Sequence, residues 1–144
     1  MTDQTAVSGS PHLLPDPIDE AGAFVVSAGL VLDDLTTGKV VGHIDLDSRH
    51  HTPWGIVHGG VYSTAVESAA SIGATAAVRD GGQVAVGLTN TTHFLRSLTS
   101  GRVRVEAVAL HQGRTQQLWQ VDVTDHAGKP VAHGEVRLQN ITPG

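Results

Sequence analysis

Between Trp54 and Val78 the chain reads WGIVHGGVYSTAVESAASIGATAAV, apolar on nearly every side of a helical projection and carrying a single charge, Glu67. The spacing predicts a helix of about five turns, kept thin by Ala65, Ala69, Ala70, Ala74, Ala76 and Ala77. Such a helix belongs inside a protein, wrapped by other elements, and its Ser, Thr and Glu interruptions argue against a membrane span. Outside it the pattern changes to strands. Phe24–Leu32 is rich in β-formers and ends at Asp33-Asp34; Thr36-Thr37-Gly38 turns the chain into Lys39–Leu46, so the two read as a hairpin. A loop, Asp47–Pro53, leads to the helix, which Asp80-Gly81-Gly82 ends. From Gln83 onward the period is two: Val84–Phe94, Arg102–Leu110, Thr115–Thr124 and Val131–Ile141, with turns at Gln112-Gly113 and His126-Ala127-Gly128. Val103, Val105, Ala107 and Ala109 share one face, as do Trp119, Val121 and Val123. These four segments read as a long antiparallel meander, and the whole as an α+β domain whose antiparallel sheet curls around one long central helix.

Residues 1–20, with Pro11, Pro15 and Pro17 closely spaced, read as a flexible leader ahead of a single domain over 21–144. The chain has no cysteine, which removes disulfides, thiolate metal sites and a cysteine nucleophile. No signal pattern opens it and no apolar run spans a bilayer, so a cytoplasmic protein without a membrane partner is expected. The formal charge of −5 argues against general nucleic-acid binding. Charge is uneven, though: six of nine basic residues lie from Arg96 onward, which leaves the later half able to receive an anion.

The polar residues of the helix are ordered. Thr64, Glu67, Ser71 and Thr75 follow steps of three and four, with Gly60 on the same side. They form either the solvent-facing edge of a buried helix or a cleft lined by hydroxyls around one carboxylate, a group suited to act as base or nucleophile. Gly59-Gly60 before the helix leaves backbone N–H groups that suit a developing oxyanion, or simply makes a tight turn. No phosphate loop of the G-x-x-x-x-G-K-[ST] form and no G-x-S-x-G elbow is present. His50, His51 and His58 match no zinc spacing; His58 reads as a backbone ligand at the loop-to-helix junction. Arg102 and Arg104 alternate on one strand as a solvated face, whereas Arg96 and Arg114 fall at a strand end and in a turn with Thr115, where bidentate phosphate contacts are accessible.

The motif W-G-x-V-H-G-G with Glu67 eight residues after Gly59 resembles the hot-dog-fold acyl-CoA thioesterases, in particular the 4-hydroxybenzoyl-CoA thioesterase type with its catalytic Glu on the central helix. The likeness extends from about Phe24 to Leu138, through Ala85-Val86-Gly87, Asn90, Phe94, Arg96, Gly113, Thr115, Trp119 and Asp125-x-Ala127-Gly128. It implies hydrolysis of an acyl- or aryl-CoA thioester with no metal or organic cofactor. Laid on matching positions, Glu67 attacks the thioester or activates water, the Gly59 N–H polarises the carbonyl, and Ser71 stands where the type has a positioning threonine. Arg96 and the Gly113-Arg114-Thr115 turn would hold the phosphates of coenzyme A. Two positions depart from the pattern. Thr52 stands where the family usually has Gln or Asn near the carbonyl, leaving that role to Thr52 or His51, and Arg114 replaces a serine.

Two other functions compete. A hot-dog hydratase would use a D-x-x-x-x-H pair, and Asp45 and His50 have that spacing without the surrounding motif. A non-catalytic acyl-CoA-binding module would be expected to lack Glu67. Gly59 and Glu67, eight residues apart, are separated by ~12 Å along one helix. One carbonyl cannot reach both, so the site is expected to be shared between antiparallel helices of a homodimer, alone or within a homotetramer.

Overall fold

The structure, a computed structural model, describes residues 22–144; the expected leader over 1–20 lies outside the described residues. Its centre is helix α2, Gly59–Val78, and no residue along that span is exposed. A short helix α1 (Ala23–Ala28) and six strands make up the rest: β1 Val31–Leu35, β2 Lys39–Leu46, β3 Val84–Phe94, β4 Gly101–Gln112, β5 Gln116–Thr124 and β6 Pro130–Ile141. All pairings are antiparallel, in the order β1-β2-β4-β5-β6-β3. Ile44, Val103, Val105, Trp119, Val121, Val123, Val136 and Leu138 are buried against Ala65, Val66, Ala69, Ala70 and Ala74 of α2. Small residues on the helix bring the sheet close, and the curled sheet around one helix is the hot-dog fold of the α+β class.

One close approach is at Gly73, where a Cβ would lie 2.5 Å from Cη2 of Trp119 and 2.8 Å from Cγ2 of Val40. Gly73→Ala gains about 1 kcal/mol of helix propensity but overpacks a filled core, which costs ~1–3 kcal/mol. A net destabilisation of up to ~2 kcal/mol is expected in urea unfolding; a more stable variant would show that Trp119 yields freely.

Two expected elements differ. Phe24–Ala28 is helical, ending at Gly29 (φ 85°), whose N–H bonds Val25 O and Val26 O, and the strand starts later and runs through Asp33-Asp34. Aspartates are tolerated there because β1 is a sheet edge with a bulge between Leu32 and Asp34, and Asp33 reaches His43 at 2.7 Å. The meander holds only for β4-β5-β6. β3 pairs with β6, not β4, at the far edge of the sheet. The β3–β4 link crosses the N-terminal end of α2, pinned by Leu95 N to Val131 O (2.8 Å), Val57 N to Leu98 O (2.9 Å) and the His51 ring to Thr99 O (2.7 Å). Period two identifies a strand and its inward face but not its neighbour.

Among the described residues no helix is long and apolar enough to cross a membrane.

Candidate active site

The N-terminus of α2 is built by the loop before it. His58 is the N-cap: its Nδ1 accepts from Gly60 N at 2.8 Å, and its own N–H donates to His50 O at 2.8 Å. Because Nδ1 accepts, a neutral His58 carries its proton on Nε2. The Gly59 N–H meets no acceptor among the described residues. A Cβ at Gly59 would come within 2.9 Å of the Phe94 ring, so any side chain there must displace that ring. His50 is buried, accepting from Asp47 N at 3.1 Å and bonding Ala28 O through Nε2 at 3.0 Å. Asp45 is bonded to Arg102 at the surface, so the hydratase pair is not assembled. Thr52 heads a tight turn: its Oγ1 accepts from Trp54 N at 3.2 Å, and Gly55 takes φ 81° within it. His51 is committed to Thr99 O.

Glu67 lies two turns further on, half-buried, against β3. Its Oε1 accepts from Asn90 Nδ2 at 3.0 Å; the same amide reaches Ser63 O at 3.3 Å, and Thr92 Oγ1 donates to Asn90 Oδ1 at 2.7 Å. A Cβ at Gly87 would collide with Glu67 Oε2, and β3 bulges between Gly87 and Thr89. A glycine, a bulge and an amide thus make a seat for one carboxylate on a flanking strand. Asn90 and Gly87 were visible in the sequence only as part of the family likeness. Their roles depend on contacts 20 or more residues distant. Ser71 is half-buried and makes no hydrogen bond to Glu67, while Thr75, on the same stripe, is buried and accepts from Ala85 N at 3.1 Å.

The two candidate phosphate ligands sit at opposite ends of the sheet. Arg96 follows β3 at the Gly59 end and pairs with Asp125 in the β5–β6 turn. Backbone N–H groups of Lys129 and Ala127, with Arg96, hold the Asp125 carboxyl below its ordinary range. Nearby, burial pushes the Tyr62 phenol up, partly offset by Arg96. Arg114 and Thr115 lie beside Asn140, the partner of Ala85 at the start of β3. About nine strand residues at ~3.3 Å each separate the two ends, roughly 30 Å. Arg114 is exposed and in no ion pair among the described residues.

Loss of the seat should act on turnover more than on binding. Asn90→Ala removes a hydrogen bond to a charged group, and kcat is expected to fall roughly tenfold with KM little changed; Gly87→Ala should act in the same direction. Unchanged kcat in both variants would remove β3 from the positioning of Glu67.

The fold is that of the hot-dog class, with one carboxylate on its central helix, and comparison with known proteins gives the family. The family model of the thioesterase superfamily matches residues 55–132. The chain is 41% identical over 130 residues to Rv1847, a provisionally named esterase of Mycobacterium tuberculosis, covering 88% of this chain and 92% of that protein. The solved structure of that esterase superposes with a TM-score of 0.81 at 40% identity, covering 84% of this chain and 98% of the other. The 1,4-dihydroxy-2-naphthoyl-CoA hydrolase of Listeria monocytogenes is 33% identical over 101 residues (70% and 81% coverage). The proofreading thioesterase EntH of Klebsiella pneumoniae is 32% identical over 106 residues (74% and 77%). The chain belongs to the thioesterase superfamily, and its general activity is thioester hydrolysis.

Proposed function

We propose that the protein hydrolyses acyl- or aryl-CoA thioesters to the free acid and coenzyme A, at a site shared by two protomers. The observation that carries this reading is the Glu67 carboxylate seated on Gly87 and Asn90 beside an open sheet edge. Glu67 attacks the thioester carbonyl, releasing the thiolate and forming an anhydride that water then cleaves; alternatively it takes a proton from the water that attacks. In either route the carbonyl oxygen gains negative charge, which the unclaimed Gly59 N–H at the positive end of α2 stabilises. Thr52 and His58 line the approach to that N–H, and Ser71 is one turn from the carboxylate. The coenzyme A phosphates fall to Arg96, Arg114 and Thr115.

Three features support the shared site. Gly59 and Glu67 stand ~12 Å apart along α2. β3 is an eleven-residue edge without a charge or proline, exposing Val86 and Leu88, the kind of edge that proteins otherwise protect. Two-fold pairing of β3 edges is antiparallel, so it sets the Gly59 and Arg96 end of one protomer alongside the Arg114 end of its partner. Ligands that lie far apart in one chain then converge. A CoA-directed reading also accords with the printed activity of the Listeria relative.

The test is thiol release across short, long, branched and aromatic CoA thioesters. Turnover of at least one class, abolished in Glu67→Gln, is expected. Tight binding of CoA thioesters without turnover of any would identify an acyl-CoA-binding module instead.

A further inference from the structure

Four polar side chains are buried among the described residues, and two of them, Gln117 and Asn140, are bonded to each other. Gln117 Nε2 donates to Ala74 O in α2 at 3.0 Å and to Asn140 Oδ1 at 2.8 Å, while its Oε1 accepts from Trp119 Nε1 at 2.8 Å. Asn140 Nδ2 donates to Gly113 O at 3.1 Å and Arg114 O at 3.2 Å, and Asn140 N donates to Thr115 O at 2.8 Å. The amide orientations are fixed by the ends of the chain: an indole N–H only donates and a carbonyl only accepts. Both NH₂ groups are fully used. Burying two amides costs free energy that an apolar pair of similar volume would avoid, so packing alone does not account for them.

The consequence is in the turn. Carbonyls of Gly113, Arg114 and Thr115 all face inward, and across a planar trans peptide the N–H of the next residue faces the opposite way. The N–H groups of Arg114 and Thr115 therefore face outward, and neither meets a backbone acceptor among the described residues. Successive outward N–H groups form an anion-binding concavity, here beside the exposed Arg114 guanidinium, which is in no ion pair among the described residues. Gly113 closes the turn through its N–H to Gln116 O at 2.8 Å, and a Cβ there would lie 2.9 Å from that same oxygen.

We propose that Gln117 and Asn140 are positioning residues for phosphate binding: a two-amide relay anchored on the central helix that turns the Gly113 and Arg114 carbonyls inward and aims the Arg114 and Thr115 amides at a phosphate of the substrate. This rests on the reading of that turn as a coenzyme A phosphate site, and the test separates the two. Steady-state kinetics are compared on a CoA thioester and the matching pantetheine thioester. Arg114→Ala should raise KM for the CoA thioester alone; if it does not, the phosphate reading fails, and the relay proposal with it. Asn140→Ala should likewise raise KM for the CoA thioester roughly tenfold, as expected for loss of the two hydrogen bonds that hold the turn, with kcat and the pantetheine KM nearly unchanged. If Arg114→Ala is selective but Asn140→Ala alters both substrates equally or neither, Asn140 is purely structural and the relay proposal alone is overturned. Should Asn140→Ala not fold, Gln117→Met, which releases Asn140 while keeping volume, is read by the same criteria. A dephospho-CoA thioester identifies the phosphate: loss of the Asn140→Ala effect assigns the 3′-phosphate, and its persistence the diphosphate.

Discussion

Glu67→Gln is expected to give a folded protein that still binds CoA thioesters and turns them over at least ~100-fold more slowly, the scale of a lost acid–base group. The amide keeps the shape of the carboxylate on the Gly87 shelf, but it is neither nucleophile nor base. It also presents either an NH₂ to the Asn90 Nδ2, a clash of donors, or its oxygen, a weaker bond than the 3.0 Å one to a carboxylate. The variant therefore separates chemistry from fold: the circular dichroism and unfolding midpoint should be near those of the parent. Near-normal kcat would take Glu67 out of the mechanism, and with it the significance of its seat.

The second large effect is a recovery. Glu67→Ala and Gly59→Val are each expected to be inactive, the first for lack of the carboxylate. In the second, the added side chain meets the Phe94 ring, where a Cβ has only 2.9 Å, and disturbs the N–H that would face the oxyanion. If each site takes Gly59 from one protomer and Glu67 from its partner, a mixed dimer holds one doubly defective site and one intact site. Random exchange of equal amounts makes half the dimers mixed, so about a quarter of the parent activity should return. Subunit exchange is verified beforehand with differently tagged chains. Continued inactivity after proven exchange would place both groups in one protomer's site.

The two experiments bear on different levels of the structure. Glu67 and its neighbours Gly87 and Asn90 are a local arrangement within one chain. The junction with Gly59 requires a second chain laid along β3. A result that supports the first and not the second would leave a thioesterase whose Glu67 and Gly59 both serve a single protomer's site.

Several parts of the protein followed from sequence alone, each because a short-range pattern sufficed. The apolar circumference and glycine pair located the central helix, observed as Gly59–Val78. One carboxylate in that setting marked Glu67, and alternation found β2, β3 and β6 to within a residue at each end. Strand neighbours were not legible, since alternation states which side chains point inward and not which strand lies alongside. That is why β3 emerged at the sheet edge, not within a meander. Phe24–Ala28 was equally ambiguous, its β-forming residues yielding to a helix closed by Gly29. Asn90 and Glu67 are 23 residues apart, as are Gln117 and Asn140, and Arg96 and Asp125 are 29 apart. Side chains so distant meet only after the sheet has closed on the helix; for Gln117 and Asn140 burial also removes water as an alternative partner, so each amide must find its hydrogen bonds within the protein.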